Sequence, residues 1–537
     1  MPRWNLRSAN AGKDWIRLIT YPVMAGIGGL VFLYLTYQSF FYTQYLRISW
    51  EEMPINVKDK PLWNVAFLAG FLAVAALLWL AREKCSEGVK KRMEFAAVAF
   101  AVIWVLVAGL WWITSADRVP EGDQAFIYGG ASYFIEGNYD FFGHGCYCQF
   151  YPQQLGQIAV VELFFRIVGT YNYFAIEVAC VLFAAGTVLL GYLILRKLGA
   201  GFVTKILYCL LMMGCLPLIG YTSWVYGDLP STFFLFLAFF GILCLQEKPK
   251  WYIVAVVVCS FTMACLVRKN SMIFMVAFFI LAAIDVISKK RWRMLLTAGL
   301  SLAVALLAYQ GIYAMYAARS GKEIEKGLPV NSWIAMGMQE SWLGYGWYNN
   351  YPKETGASLD WDYDAVGETA GAYIRERMQE FKADPAYAKQ FYKMKVLSQW
   401  NQPLYQCLYF SKNFTEESGP ARGSFMDRVY HTEKGLADVL FWADRWHFLI
   451  FLGLFLYFVF GVRRSKDPME YLFAVTILGG FFFTILWEAK ARYVLPYYLM
   501  AFPLAVLGYA RCLGLAGTLW MKVRRQDASG RKETSED

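Results

Sequence analysis

The feature that most constrains this chain is a recurrence of apolar runs, each about 20 residues long, separated by short basic loops. A helix of that length crosses a hydrocarbon core of about 30 Å, and in lipid the backbone must satisfy its own hydrogen bonds. With 58% hydrophobic and 17% charged residues, the chain lies outside the range of soluble globular proteins. A membrane β-barrel would show short alternating segments instead, and none appears. The expectation is an all-α polytopic membrane protein.

The apolar runs predict twelve spans, at 18–42, 62–81, 95–115, 173–195, 203–221, 231–246, 251–267, 271–288, 294–317, 446–462, 469–487 and 493–513. The segment 155–170 carries Gln157, Glu162 and Arg166, the last two at i, i+4, and reads as an amphipathic helix lying in the interface. With that helix flat, Arg82, Lys84, Lys90, Lys91, Arg92, Arg196, Lys197, Lys205, Lys248, Lys250, Lys289, Lys290, Arg291, Arg293, Arg463, Arg464 and Lys466 all fall on one side. The positive-inside rule makes that side cytoplasmic, with both termini there, in a multi-pass protein of a cell inner (plasma) membrane. The division is 1–94 as an N-terminal segment with two extra spans and 95–317 as a membrane module with an external loop at 115–172. The insertion 318–445 is a small extracytoplasmic subdomain, 446–513 holds the last spans, and 514–537 is a polar, unstructured tail. The net charge of +10 is spread over many loops rather than along one face, which argues against a nucleic-acid partner.

Two turns on the expected outer side break the charge rule. Arg268 and Lys269 lie in LVRKNSM, and Lys490 and Arg492 in LWEAKARYVLP. Cations beside hydrocarbon cost insertion energy, so they need a partner. They either snorkel to headgroups, with Glu488 and Arg492 pairing at i, i+4, or form an anion site, since guanidinium forks match phosphate oxygens. A phosphate at a membrane surface implies a lipid phosphate.

The same outer face carries acids. Asp123 opens a helical-looking run in the polar stretch 115–153 and is either a helix cap or a reactive carboxylate. Asp228, in Tyr226-Gly227-Asp228-Leu229-Pro230, is either a turn with a cap or a second functional acid, and Asp117, Glu121 and His144 are further company. A sugar hydroxyl is a weak nucleophile, so glycosyl transfer needs a carboxylate base and cations for the departing phosphate. The external face supplies both.

Weaker signals complete the inventory. Asp360, Asp362 and Asp364 lack the glycine of a calcium loop, and three His, none at i, i+4, argue against a His-based zinc site. Asn413-Phe414-Thr415 is a sequon, and Cys407 is placed to bridge Cys146 or Cys148 if the loops meet oxidising surroundings. The tip Trp347-Tyr348-Asn349-Asn350-Tyr351 is placed to touch an acceptor. Trp111, Trp112, Trp224, Tyr226, Tyr493 and Tyr497 read as an interface belt with some rings available to a sugar.

GDQAFIYGGASYFIEGNYD followed by Tyr151-Pro152-Gln153-Gln154 resembles the first external loop of the GT-C membrane glycosyltransferases, which include protein O-mannosyltransferases and the aminoarabinose transferase of lipid A. The resemblance implies a catalytic role for Asp123, a second acidic position at Asp228, phosphate-binding positions at Arg268 and Arg492, and a polyprenyl-phosphate sugar donor. It departs from the family in Asp123-Gln124, where adjacent acids are common, and in Pro152-Gln153, where the family has two prolines.

The sequence therefore predicts a glycosyltransferase moving a sugar, with inversion, from a polyprenyl phosphate to an extracytoplasmic acceptor. Asp123 and Asp228 are the catalytic acids, Asp228 orienting the acceptor or helping to hold a divalent metal ion. Arg268, Lys269, Lys490 and Arg492 form the lipid-phosphate clamp, and Tyr128, His144, Tyr151, Gln153, Tyr226 and Glu488 contact acceptor or sugar. The competing reading is a transporter, flippase or ligase for lipid-linked saccharides, although the related halves and broken midplane helices of transporters are not evident.

Overall fold

The computed structural model describes residues 15–46, 52–116, 119–412, 422–462 and 467–533, with side chains from 20 to 515. The expectations resting on Asp117, the Asn413 sequon, Arg463, Arg464 and Lys466 fall outside the described residues.

Among the described residues ten helices, against the twelve expected, are long and apolar enough to cross a membrane, from Thr20–Phe41 to Ala491–Leu515. An eleventh crossing results if Phe202–Met213 and Leu216–Ser223, bent by 52°, act as one, and Trp251–Val267 is a shorter apolar helix between long neighbours. The bend falls at Gly214 and Pro217, where a Cβ on Gly214 would meet the Trp446 ring at 2.3 Å and Pro217 cannot continue the preceding ladder.

Four features depart from expectation. A two-stranded antiparallel hairpin, Tyr42–Leu46 with Pro54–Lys58, joins the first two spans. The helix expected from residue 446 begins at Glu433, with Thr432 as its cap. The helix from Leu495 runs to Glu533, so the tail expected to be unstructured has a helical backbone. The insertion after Ser320 folds as helices including Val330–Met336, Tyr363–Ala383 and Pro385–Trp400, and its end is packed among the spans. There Trp400 donates to Thr484 Oγ1 and Tyr405 Oη lies 3.0 Å from His447 Nε2.

Helix Leu155–Val168 has 14 residues, about 21 Å at 1.5 Å per residue, too short to cross. Glu162 and Arg166 pair at 2.7 Å as the spacing predicts. The carboxylate nevertheless faces inward, held also by Tyr316 Oη and Arg319, while Leu163 and Ile167 point outward.

Ion pairs sort the loops. Arg291 bridges Asp285 and Asp467, Lys197 pairs with Glu247, and Lys205 with Glu94, all among loops expected inside. The turns expected outside converge elsewhere, around Asp123.

Candidate active site

Three turns and one helix start build the site. Helix Asp123–Ile135 buries Gln124, Ile127, Tyr128, Ala131 and Phe134, the spacing of one helical face, and so fixes its N-terminal end. Gly122, at φ 57°, makes the turn that presents Asp123 as the first helical residue, where the helix dipole favours an anionic side chain. Gln124 Oε1 accepts from the Val225 N–H at 2.9 Å, tying that end to the second turn, Trp224 to Gly227.

Gly227 is required by closeness. A Cβ there would lie 2.0 Å from the Val267 carbonyl oxygen, so the turn before Asp228 sits directly on the turn that carries Arg268. Asp228 is fully buried; Arg268 reaches its Oδ1 at 2.9 Å and Trp224 Nε1 donates to its Oδ2 at 3.0 Å. The helix Asp228–Glu247 begins at this carboxylate, with Pro230 in its first turn, where the missing N–H costs nothing.

The third turn, 487–494, is extended through Lys490 and then forms the short 3-10 helix Ala491–Val494. It is pinned from outside the bundle: the Ala489 N–H donates to Gly346 O at 2.7 Å, and the Arg492 N–H donates to Gln406 Oε1 at 2.9 Å. Arg492 is buried, with its guanidinium 5.3 Å from the Trp224 ring, 4.9 Å from Tyr226, 5.5 Å from Phe410 and 5.6 Å from Tyr493. Arg268 lies 5.8 Å from the Tyr226 ring and 5.5 Å from Tyr493, so both guanidiniums share these two tyrosines. Such rings hold a cation without neutralising it, each worth about 0.5–2 kcal/mol.

Asp123 closes the cluster. Its Oδ2 is 3.9 Å from Arg492, and Tyr147 Oη donates to its Oδ1 at 3.5 Å. The Asp123 side chain is 42% exposed against 5% for Arg492, so the acid looks into open space while the guanidinium is set behind it. Tyr147 in turn lies 5.0 Å from the Tyr151 ring, and Tyr493 Oη donates to Glu488 at 3.0 Å. Burial pushes the phenols of Tyr147, Tyr151 and Tyr226 up, with Asp123 adding to the rise in each, which leaves them neutral hydrogen-bond donors.

The structure thus brings together Asp123, Asp228, Arg268, Arg492, Tyr151, Tyr226 and Glu488. It separates the others. Tyr128 is a core side chain between the rings of Phe165 and Tyr173, because it falls on the buried face of its helix. His144 is exposed beside Asp360 at 3.7 Å and Trp361, away from the cluster's contacts. Lys269 is exposed in the 3-10 turn Lys269–Ser271, which points it away from the Arg268 pair. Gln153 makes none of the contacts described; the one-residue step of the turn Pro152–Gln154 gives the role to Gln154, whose amide donates to Tyr226 Oη. Lys490 pairs with Glu52 at 3.4 Å and approaches Glu488 at 4.0 Å. The i, i+4 pair of Glu488 with Arg492 does not form, since the backbone there is extended and then 3-10 rather than α-helical.

Asp228 is committed to Arg268 and Trp224, so it does not face an acceptor, and among the described residues no group of three or more His, Cys, Asp or Glu side chains is placed to hold a metal ion. Asp362 instead caps the helix Tyr363–Ala383, accepting from the Ala365 N–H. Cys146, Cys148 and Cys407 are all free thiols; Cys407 packs against Gly220, far into the bundle, which explains why the expected bridge does not form.

The missed residues are Tyr147, Gln154 and Phe410; Tyr348, at the tip expected to touch an acceptor, lies beside Lys490, and Trp224 and Tyr493 are the belt rings that line the site. Phe410 sits in the insertion, where no local pattern sets it apart. Gln154 follows the Pro-Gln pair directly, and its neighbourhood was the available signal.

Fold and site together define a polytopic helical membrane protein with a charged, tyrosine-lined site where turns between its helices meet. Among solved structures, the chain is similar to the archaeal oligosaccharyltransferase AglB from Archaeoglobus fulgidus in complex with an inhibitory peptide and a dolichol-phosphate, with a TM-score of 0.41 at 12% identity, covering 82% of this chain and 52% of that one. This chain spans about half the length of that structure. No family model and no curated protein matches it.

Proposed function

We propose that the chain is an integral membrane glycosyltransferase of the GT-C kind, moving a sugar from a polyprenyl-phosphate donor to an extracytoplasmic acceptor. One observation carries the reading: a half-exposed carboxylate, Asp123, stands 3.9 Å from a buried guanidinium, Arg492, caged by four aromatic rings. A base beside a fixed cation is what transfer from a phosphate requires.

In this reading the acceptor hydroxyl oxygen attacks the anomeric carbon and its proton passes to the Asp123 carboxylate. The bond from that carbon to the phosphate oxygen breaks, and the phosphate keeps the electron pair. Arg492 stabilises the charge that develops there. Arg268 contributes less, because Asp228 already matches its charge at 2.9 Å. Direct displacement inverts the anomeric centre. Asp228 acts as a positioning residue, holding Arg268 against the shared tyrosines.

The test is sugar transfer by purified Asp123→Asn protein with a polyprenyl-phosphate sugar. Loss of about 10²–10⁴-fold in kcat at unchanged melting temperature is expected for removal of a general base. Activity close to wild type would remove Asp123 from the mechanism.

A further inference from the structure

Lys490 was expected to join Arg492 in holding phosphate, but its surroundings differ. It stands between two carboxylates, Glu52 at 3.4 Å and Glu488 at 4.0 Å, with its ammonium 5.6 Å from the Tyr348 ring. Burial alone would lower the ammonium's pKa, yet Glu52 and then Glu488 outweigh it and raise it, so the lysine is a fixed cation with its charge already answered. Glu488 is itself buried, and that burial pushes its carboxyl up against the pull of Lys490 and Tyr493.

Glu52 belongs to neither the insertion nor the later spans. It lies two residues before the strand Pro54–Lys58 of the N-terminal hairpin. That hairpin is locked in place: Gln44 N–H donates to Asn401 O, Asn401 donates back to Tyr42 O, and Leu46 shares a small buried cluster with Leu343, Trp347 and Ala489. Hairpin, insertion and the 487–490 turn therefore form one rigid corner. Its open face carries the half-buried Tyr151, Tyr348 and Tyr493.

We propose that this corner is the subsite for the uncharged, hydroxyl-rich ring of the transferred sugar, with Glu52 as the positioning residue that cancels Lys490 and so keeps the subsite from competing for phosphate. The proposal rests on the reading above, in which Arg492 takes the phosphate. Two carboxylates around one ammonium repel a phosphate dianion, whereas phenols and paired carboxylates offer a sugar ring both donors and acceptors. The site then has two halves, a cationic one at Arg492 and one at Lys490 where two carboxylates face a single ammonium.

The experiment titrates a sugar-free polyprenyl monophosphate, in detergent micelles, into the full-length protein and its variants. Arg492→Met should weaken binding about tenfold or more, while Lys490→Met combined with Glu52→Gln, which removes both charges of the pair, should change it by less than about twofold. Glu52→Gln should tighten binding of the bare phosphate, since it frees the Lys490 charge; loss of structure alone does not tighten binding. If the double variant Lys490→Met with Glu52→Gln weakens binding as much as Arg492→Met, or if Glu52→Gln does not tighten it, the subsite assignment fails. If Arg492→Met binds like wild type, the phosphate reading fails instead. Should Glu52→Gln not fold, the exchanged pair Glu52→Lys with Lys490→Glu keeps the contact and should bind the bare phosphate like wild type; weakening would overturn the proposal.

Discussion

Replacing Asp228 with Asn tests the buried pair on which the cationic half depends. The substitution is nearly isosteric, and its remaining oxygen still accepts from Trp224 Nε1, so packing and one hydrogen bond persist. What disappears is the anion 2.9 Å from Arg268, at a site where the acid is fully buried and the guanidinium 8% exposed. Breaking a buried pair and leaving one charge behind costs about 3–5 kcal/mol. The rings of Tyr226 and Tyr493 recover part of this, about 0.5–1 kcal/mol each, so a net loss of about 1–4 kcal/mol is expected. Equilibrium unfolding in mixed micelles reads the loss. The double variant Asp228→Asn with Arg268→Met removes the stranded charge and should regain most of it, a coupling visible in a double-mutant cycle. A single variant within about 0.5 kcal/mol of wild type, or a double variant no more stable than the single, would refute the claim that Asp228 serves to hold Arg268.

Other outcomes follow from the same geometry. Gly227→Ala must part the Asp228 turn from the Val267 carbonyl, 2.0 Å from the added Cβ, and should cost about 1–3 kcal/mol of stability together with transfer activity; a fully stable, active variant would show that the two turns need not touch. Arg492→Lys keeps the charge but loses the planar stacking on four rings, and should weaken polyprenyl monophosphate binding about tenfold by titration. Lys395, buried in helix Pro385–Trp400 and donating to Gly337 O, has its ammonium pushed down to about 7 by burial. Its folded pKa is below its unfolded value of 10.5, so its contribution to stability is present above the unfolded pKa and is lost as pH falls toward about 7. Unfolding measured across that window should therefore show wild type losing stability relative to Lys395→Met as pH falls, and a constant difference would contradict the burial effect.

Much of the architecture was legible because it is local. Each apolar run is long enough to cross a bilayer, and a helix is the only single segment that satisfies its own backbone there, so the spans could be read one at a time. The helix Leu155–Val168 and its Glu162–Arg166 pair were legible too, from the i, i+4 spacing. Arg268 and Arg492 stood out because they fall in turns expected on the side where cations are depleted, and Asp123 because a loop so polar lies between spans.

What local pattern left open is which turn meets which, since apolar helix faces are chemically alike and their pairing depends on shape across the whole bundle. Only the tertiary structure put Asp228 under Arg268 rather than before an acceptor, made Tyr226 a ring shared by two guanidiniums, moved the glutamine contact from Gln153 to Gln154, and brought Glu52 from the N-terminal hairpin to Lys490. Sequence by itself determined that this chain lives in a membrane and where its charges interrupt the apolar pattern. Packing decided which of those charges are already paired and which remain open to a substrate, because a charge's partner is set by distance in space and not along the chain.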